Sequence, residues 1–254
     1  MFYKNNLFVM PQYWFGFASA FSGQVLYEPL IYQGYNIVFT AIPIMWFAVF
    51  DEEFKKGTLH NEPKHYWIGL SNHYFSFKLL TTTVLKGIAN GLLIYLFIFE
   101  SLNGNQVAGD GTNGSLWQSS AVLYAIVVIN ANLWVLQRTN SHTWVSTFWI
   151  VASILSYFFF WWFESLFPWS SYMYGTFGQT MGVGKVYLVI MLNVWQFIGT
   201  DMILSRWNAR SLEKSQLNKL EAENRSKASV RQMIESFKES EFASEQQQVH
   251  SLEQ

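Results

Sequence analysis

Cysteine is absent from this chain of 254 residues, and charged residues are scarce. Without cysteine the chain cannot form a disulfide framework or a thiolate metal site. Only 13% of its residues are charged, about half the share that is usual in a soluble domain. The formal net charge of −1 offers no basic surface for nucleic acid, so we expect no nucleic-acid partner.

The signatures of common catalytic sites are also missing. The sequence has no glycine-rich phosphate-binding loop of the Walker type. Its five histidines do not follow the spacing of metal ligands. We therefore predict no catalytic residue, no metal site and no cofactor within this chain.

Apolar sequence is abundant instead, since 51% of the residues are hydrophobic and 19% are aromatic. A helix that crosses the hydrocarbon core of a bilayer needs roughly 20 apolar residues. We predict an all-α fold, a polytopic transmembrane bundle of about six spans. The second predicted span is short, so either its neighbours shelter its ends or it begins in the preceding turn. The predicted spans cover residues 4–26, 35–50, 79–99, 116–136, 143–167 and 182–204.

Lysine and arginine alternate between the connections, which predicts the orientation of the chain. They occur after the second, fourth and sixth predicted spans and are missing from the other three connections. The side rich in lysine and arginine is expected to be cytosolic. We predict a membrane region over residues 1–204, in the plasma membrane or an endomembrane. Residues 205–254 are polar and carry charges of both signs, which predicts a cytosolic tail, helical at first and then disordered.

Within the predicted membrane region, the acidic residues in or next to a span lie only at its ends, and none lies near the middle of a span. A cation transporter needs carboxylates or an equivalent cage of oxygen atoms near the middle of the membrane. The first two spans carry a lysine and several amides instead. Such groups suit an anionic or zwitterionic headgroup, which they can hold through charge-assisted hydrogen bonds.

Lys4 is the first candidate, because an ionisable residue inside a membrane span is a functional hypothesis by default. The alternative is a lysine at a helix end whose ammonium reaches the headgroups, since Lys4 lies close to the N-terminus. Pro43 is the second candidate, because proline leaves one backbone carbonyl without its helical partner. Asn36 and Thr40 lie one helical turn apart before it, on one face.

This proline and its polar neighbours can be explained in two ways, which the residues leave open. They line a pathway beside a kink, or they join helices through hydrogen bonds. Other polar residues within the spans are expected to join helices: Asn130, Asn132, Ser153, Ser156, Asn193 and Gln196.

The opening stretch resembles the fifth and sixth membrane helices of the P4-type ATPases, the phospholipid flippases. The order and spacing of its short motifs carry the resemblance, and weaker similarity continues to about residue 210. The motifs are Phe2-Tyr3-Lys4-Asn5, Gln12-Tyr13-Trp14-Phe15, Phe21-Ser22-Gly23-Gln24, Tyr35-Asn36, Phe39-Thr40, Pro43 and Phe50-Asp51-Glu52.

The resemblance implies an ATP-driven transporter that moves phospholipid from the outer to the cytosolic leaflet. In that family the lysine of the fifth helix is implicated in lipid transport, and it corresponds to Lys4, with Asn5 beside it. Members often carry an asparagine that helps to hold the headgroup where this chain has Ser19. This departure puts a preference for phosphatidylserine in doubt.

The resemblance also implies partners and cofactors outside this chain. ATP and Mg²⁺ would serve the complete enzyme, and a glycosylated accessory subunit with two spans would contact the outer loops and the last helix. The chain lacks the family's ATP-handling domains and its first four helices, so we expect it to act with the remainder of an ATPase. We interpret it as a fragment. The alternatives are a non-enzymatic six-span channel or small transporter, and an inert fragment.

Overall fold

The structure is a computed structural model, and it describes residues 2–52, 77–102, 114–169 and 172–206. Within those ranges the chain is helical and contains no strand, as the all-α prediction requires. The helices are α1 (Phe2–Ala18), α2 (Pro29–Gly34), a π-helical turn (Tyr35–Phe39), α3 (Ala41–Phe50), α4 (Phe77–Leu102), α5 (Leu116–Arg138), α6 (Trp144–Ser165), α7 (Thr176–Met181) and α8 (Gly184–Arg206).

The first predicted span is wrong in length. Helix α1 has 17 residues and ends at Ala18, and the chain then leaves the helix instead of continuing to residue 26. Two residues without the freedom of glycine adopt left-handed backbone angles there, Ala20 at φ 49° and Phe21 at φ 53°. The Phe21 amide donates to the Gly16 carbonyl at 2.8 Å. The hydrophobic run predicted a longer helix because nothing in its composition marks this stop.

The second predicted span begins earlier, as one of the two sequence alternatives required. It runs over Pro29–Phe50 and is long and apolar enough to cross a membrane. The Glu28 carboxylate caps its start by accepting a hydrogen bond of 2.8 Å from the Ile31 amide. The π-helical turn and Thr40 interrupt it before α3 begins.

Helix α5 forms the centre of the bundle. In its most apolar window 72% of the residues are buried, compared with 17–28% in the four other candidate spans. Its start carries a capping box between Ser115 and Gln118. The other long helices therefore expose most of their apolar surface, which fits helices that face lipid.

The described residues thus contain five helices long and apolar enough to span a membrane, one fewer than predicted, because α1 is short and contains Lys4, Asn5, Asn6 and Gln12. The remaining four predicted spans are confirmed as α4, α5, α6 and α8, within a few residues at each end. The lysines between α3 and α4 other than Lys78, and the predicted tail from residue 207, lie outside the described residues. The tail and the cytosolic orientation stay predictions.

Candidate functional site at the junction of α1 and α3

Lys4 lies inside the protein, although its position near the N-terminus suggested that it could reach the headgroups. Its side chain is 7% exposed, and its Nζ donates a hydrogen bond of 2.8 Å to the Thr40 hydroxyl. The Nζ also lies 5.4 Å from the centre of the Tyr35 ring. Within the described part of the chain, no carboxylate pairs with this lysine.

Three hydrogen bonds close a ring around the lysine. The Thr40 hydroxyl accepts from Lys4 and donates a hydrogen bond of 2.6 Å to the Tyr35 carbonyl. The Tyr35 hydroxyl in turn donates to the Lys4 carbonyl at 2.9 Å. All three residues are buried. The ring therefore fixes the register of α1 against the interrupted second span.

The break in the second span frees the Tyr35 carbonyl to accept a hydrogen bond in this ring. Thr40 leaves the helical conformation, with φ −140° and ψ −4°, directly after the π-helical turn. The Tyr35 carbonyl can then accept from the Thr40 side chain five residues later. A serine or threonine that bonds to a preceding carbonyl in this way stabilises a bend in a membrane helix.

Pro43 has no amide proton, so the carbonyl of Phe39 loses its helical partner four residues later. Two side chains from neighbouring helices replace that partner. The Asn132 amide of α5 donates to the Phe39 oxygen at 3.0 Å, and the Ser153 hydroxyl of α6 donates to the same oxygen. The carbonyl that proline frees is therefore used to join three helices, and Asn132 and Ser153 are confirmed as residues that connect helices.

The other residues predicted to join helices behave differently. Ser156 donates to the Ser153 carbonyl within its own helix, so the prediction is wrong for it. Asn130 and Asn193 are fully buried, and neither amide finds a partner among the described residues. Gln196 likewise has a buried amide nitrogen without a described partner.

The structure brings only some of the predicted lipid-path residues together. Lys4 and Thr40 touch, and Pro43 is buried three residues beyond Thr40. Asn36 is exposed although Thr40 is buried, so the expectation that they share one face is wrong. The expectation assumed an unbroken α-helix, and the backbone changes between the two residues.

Asn5 and Ser19 lie away from the buried lysine. Asn5 is exposed on α1, on a different side from Lys4. Ser19 follows the end of α1 and donates to the Gly16 carbonyl at 3.2 Å. Along a helix, 15 residues correspond to roughly 20 Å, so Ser19 and Lys4 cannot hold one headgroup atom together in this conformation.

Sequence reasoning missed the contribution of Tyr3 and of Tyr35. The Tyr3 ring stacks on Trp134 with ring centres 4.0 Å apart, and the Tyr3 hydroxyl accepts from the Asn90 amide at 2.8 Å. Both tyrosines lie in motifs of the resemblance, but an aromatic residue in an apolar run gives no signal that its hydroxyl is used. Tyr35 holds the Lys4 carbonyl, and Tyr3 attaches the residue before Lys4 to α4 and α5.

The site can act as a hydrogen-bond donor to an anionic group. An ammonium has three N–H donors, and the structure shows one of them in use, on Thr40. Burial of an unpaired charge is costly unless further acceptors are supplied. An oxygen of a phosphate or carboxylate would supply them.

The chain is similar to known phospholipid-transporting ATPases. Residues 1–212 match the family described as phospholipid-translocating P-type ATPase C-terminal. The human phospholipid-transporting ATPase ID is 32% identical over 158 residues, which cover 62% of this chain and 13% of that protein. The human phospholipid-transporting ATPase IH is 27% identical over 197 residues, which cover 76% of this chain and 17% of that protein.

A relative from a fungus gives a similar result. A phospholipid-transporting ATPase of Schizosaccharomyces pombe is 31% identical over 127 residues, which cover 50% of this chain and 10% of that protein. The chain thus spans between 10% and 17% of the length of these three relatives.

Proposed function

Because the chain belongs to the phospholipid-translocating P-type ATPases and matches the C-terminal region of that family, we propose that it forms one wall of the path that a phospholipid takes from the outer to the cytosolic leaflet. Lys4 is the central residue of this proposal. The observation that carries it is a buried ammonium with a hydroxyl partner and no carboxylate among the described residues. The family favours this function over the six-span channel that the sequence left open.

On this proposal, Lys4 exchanges one acceptor for another. The phosphate or carboxylate oxygen of a passing headgroup takes a charge-assisted hydrogen bond from Nζ, which is stronger than the bond to the neutral Thr40 hydroxyl. Thr40 remains bonded to the Tyr35 carbonyl when the lysine moves. The bend therefore keeps its shape while the lysine binds and releases lipid.

The remaining candidates receive separate places along the same path. Ser19 follows the end of α1, and with the predicted orientation this end is on the outer side, where a headgroup would first meet the protein. Asn36 and Asn5 are exposed and can contact lipid without leaving the bundle surface. Pro43 lies in the first turn of α3, next to the break in the span, and the carbonyl it frees is held by α5 and α6.

ATP, Mg²⁺ and the remainder of the ATPase belong to the complete transporter on this proposal. Among the described residues no three His, Asp or Glu side chains form a group that could hold a metal ion. The accessory subunit is expected on the outer side. Trp169, Tyr172 and Tyr174 are exposed and belong to a connection predicted to be on that side, so they would offer it a surface.

The test is to replace Lys4 by methionine in the transporter that contains this segment, and to measure ATP hydrolysis against phosphatidylserine, phosphatidylethanolamine and phosphatidylcholine added singly. Loss of one charge-assisted hydrogen bond costs about 1.5–3 kcal/mol, so the apparent affinity for the transported lipid should fall roughly tenfold or more.

Lys185→Met is the matched control, because Lys185 is exposed at the start of α8. It should leave the lipid dependence unchanged. Equal lipid dependence of wild type and Lys4→Met, at equal expression, would remove Lys4 from the transport path.

A further inference from the structure

The carboxylate of Asp51, directly after α3, accepts hydrogen bonds from four donors. Oδ1 accepts from the backbone amides of Asn140 and Ser141, both at 2.9 Å, and from the Ser141 hydroxyl at 3.0 Å. Oδ2 accepts from the Asn140 side-chain amide at 3.3 Å. The Glu52 amide adds a bond of 3.2 Å to the Ser141 hydroxyl. All of these donors belong to the α5–α6 turn, apart from that of Glu52.

An aspartate at this place needs a specific reason. A negative charge at the C-terminal end of a helix opposes the helix dipole. Burial by itself would raise the pKa of the Asp51 carboxyl, but the hydrogen bonds from Ser141 and Asn140 outweigh burial and hold the pKa below its ordinary value. The Asp51 carboxylate is therefore ionised at neutral pH, and the donors of the α5–α6 turn point toward it.

Helix α3 is held at both ends. At its start, the Phe39 carbonyl is bound to α5 and α6. At its end, Asp51 is bound to the α5–α6 turn. Pro43 lies in the first turn of α3, where its missing amide proton breaks no hydrogen bond within this helix. Helix α3 therefore runs as one rigid piece between its two attachments, and release of the Asp51 attachment would leave it held at its start alone.

We propose that Asp51 is a positioning residue for lipid transport: by fixing the end of α3 to the α5–α6 turn, it keeps Thr40 within hydrogen-bond reach of Lys4. This inference rests on the proposed role of Lys4. Thr40 directly precedes α3, whose residues Ala41–Phe50 form one helix, so a tilt of α3 after release of its end would move Thr40 relative to Lys4 without any change in the lysine itself.

The structural test uses the absence of cysteine. Val49 on α3 and Phe148 on α6 are 70% and 51% exposed, and the chain has no cysteine to compete for labels. Spin labels at Val49→Cys and Phe148→Cys, in nanodiscs, give a distance distribution between the two helices. Asp51→Asn should broaden or shift it. Lys185→Met should not, because Lys185 is exposed at the start of α8 and is not among the groups that bond Asp51.

The functional test measures lipid-stimulated ATP hydrolysis of the transporter. Asp51→Asn should raise the lipid concentration at half-maximal stimulation roughly fivefold, the effect of about one hydrogen bond, with a smaller change in maximal rate. Ser141→Ala, which removes one donor and one acceptor, should show the same direction with a smaller effect. Ser141→Ala also provides the test of the proposal if the Asp51→Asn variant does not fold.

The outcomes separate the two proposals. If Lys4→Met leaves the lipid response unchanged, the proposed function is wrong, whatever Asp51 does. If Lys4→Met weakens the response but Asp51→Asn and Ser141→Ala leave both the distance distribution and the lipid response as in wild type, Lys4 stands and the anchoring role of Asp51 is overturned.

Discussion

The contact between α1 and α4 and the junction of α3 with α5 and α6 are built by opposite means. The first depends on glycine. A Cβ at Gly87 would lie 2.8 Å from the Asn6 Cβ, and a Cβ at Gly91 would lie 2.7 Å from the Met10 Cβ. The second depends on polar side chains, with the Asn132 amide and the Ser153 hydroxyl on the Phe39 carbonyl.

The difference teaches what each kind of contact contributes in a membrane. Apolar burial gives little drive for helices to associate in lipid, so close packing of backbones at small residues supplies much of the stability. A backbone carbonyl that lacks its helical partner must instead be bonded by one particular side chain. That bond fixes the position of one helix along the next. Lys4 and Thr40 belong one to each region, so the candidate site lies where the closely packed region meets the polar one.

The largest expected effect is at the glycine contact. Gly91→Leu should lower the free energy of unfolding by about 3 kcal/mol, since the two backbones must separate and overpacking of a tight contact costs that order. Reversible unfolding of the chain in mixed micelles measures it. Gly199→Ala is the control, because an added Cβ there meets no described atom within 4 Å. A Gly91 variant as stable as this control would contradict the close packing.

The next effect is at the polar junction, where the two donors should compensate for each other. Asn132→Leu and Ser153→Ala should each cost about 0.6 kcal/mol, the average for hydrogen bonds between membrane helices. The double variant should cost about 2 kcal/mol, because the Phe39 carbonyl is then buried without a partner. A double-mutant cycle in the same micelles measures the excess. Strict additivity would show that the two side chains do not share this carbonyl.

The smallest effect is the pH dependence of the Asp51 contact. Its pKa is lower in the folded chain than in the unfolded chain, so its stabilisation is present above the unfolded pKa of about 3.9 and is lost as pH falls through the lower folded value. The difference in unfolding free energy between wild type and Asp51→Asn should be constant near neutral pH and shrink in acid. A difference that grows in acid would reverse the assignment.

The sequence predicted the helices better than it predicted their ends and their polar partners. Length and hydropathy identified α4, α5, α6 and α8, because a membrane span is a strong signal of composition. They failed at α1, where the chain turns at Ala20 and Phe21 through left-handed angles that composition does not forbid. Local backbone geometry, rather than hydrophobicity, ends that helix.

The candidate site was predictable in its residues and only partly in its geometry. Lys4 and Pro43 can be identified from the sequence because they stand in apolar surroundings. That the Phe39 carbonyl needs another partner follows from the missing amide proton of proline. Which side chains satisfy it depends on helices more than 90 residues away in the chain, since Asn132 and Ser153 lie 93 and 114 residues from Phe39. Periodicity within one span cannot supply that.

The most direct test of the central claim is the phospholipid retained by the purified chain. Wild type and Lys4→Met, extracted in the same mild detergent, can be compared by native mass spectrometry for bound phospholipid, with Lys185→Met as the control. We predict that Lys4→Met folds at least as stably as wild type, because it removes a buried charge without a described carboxylate partner, yet retains several-fold less lipid. Equal lipid retention by a folded Lys4→Met chain would contradict this prediction.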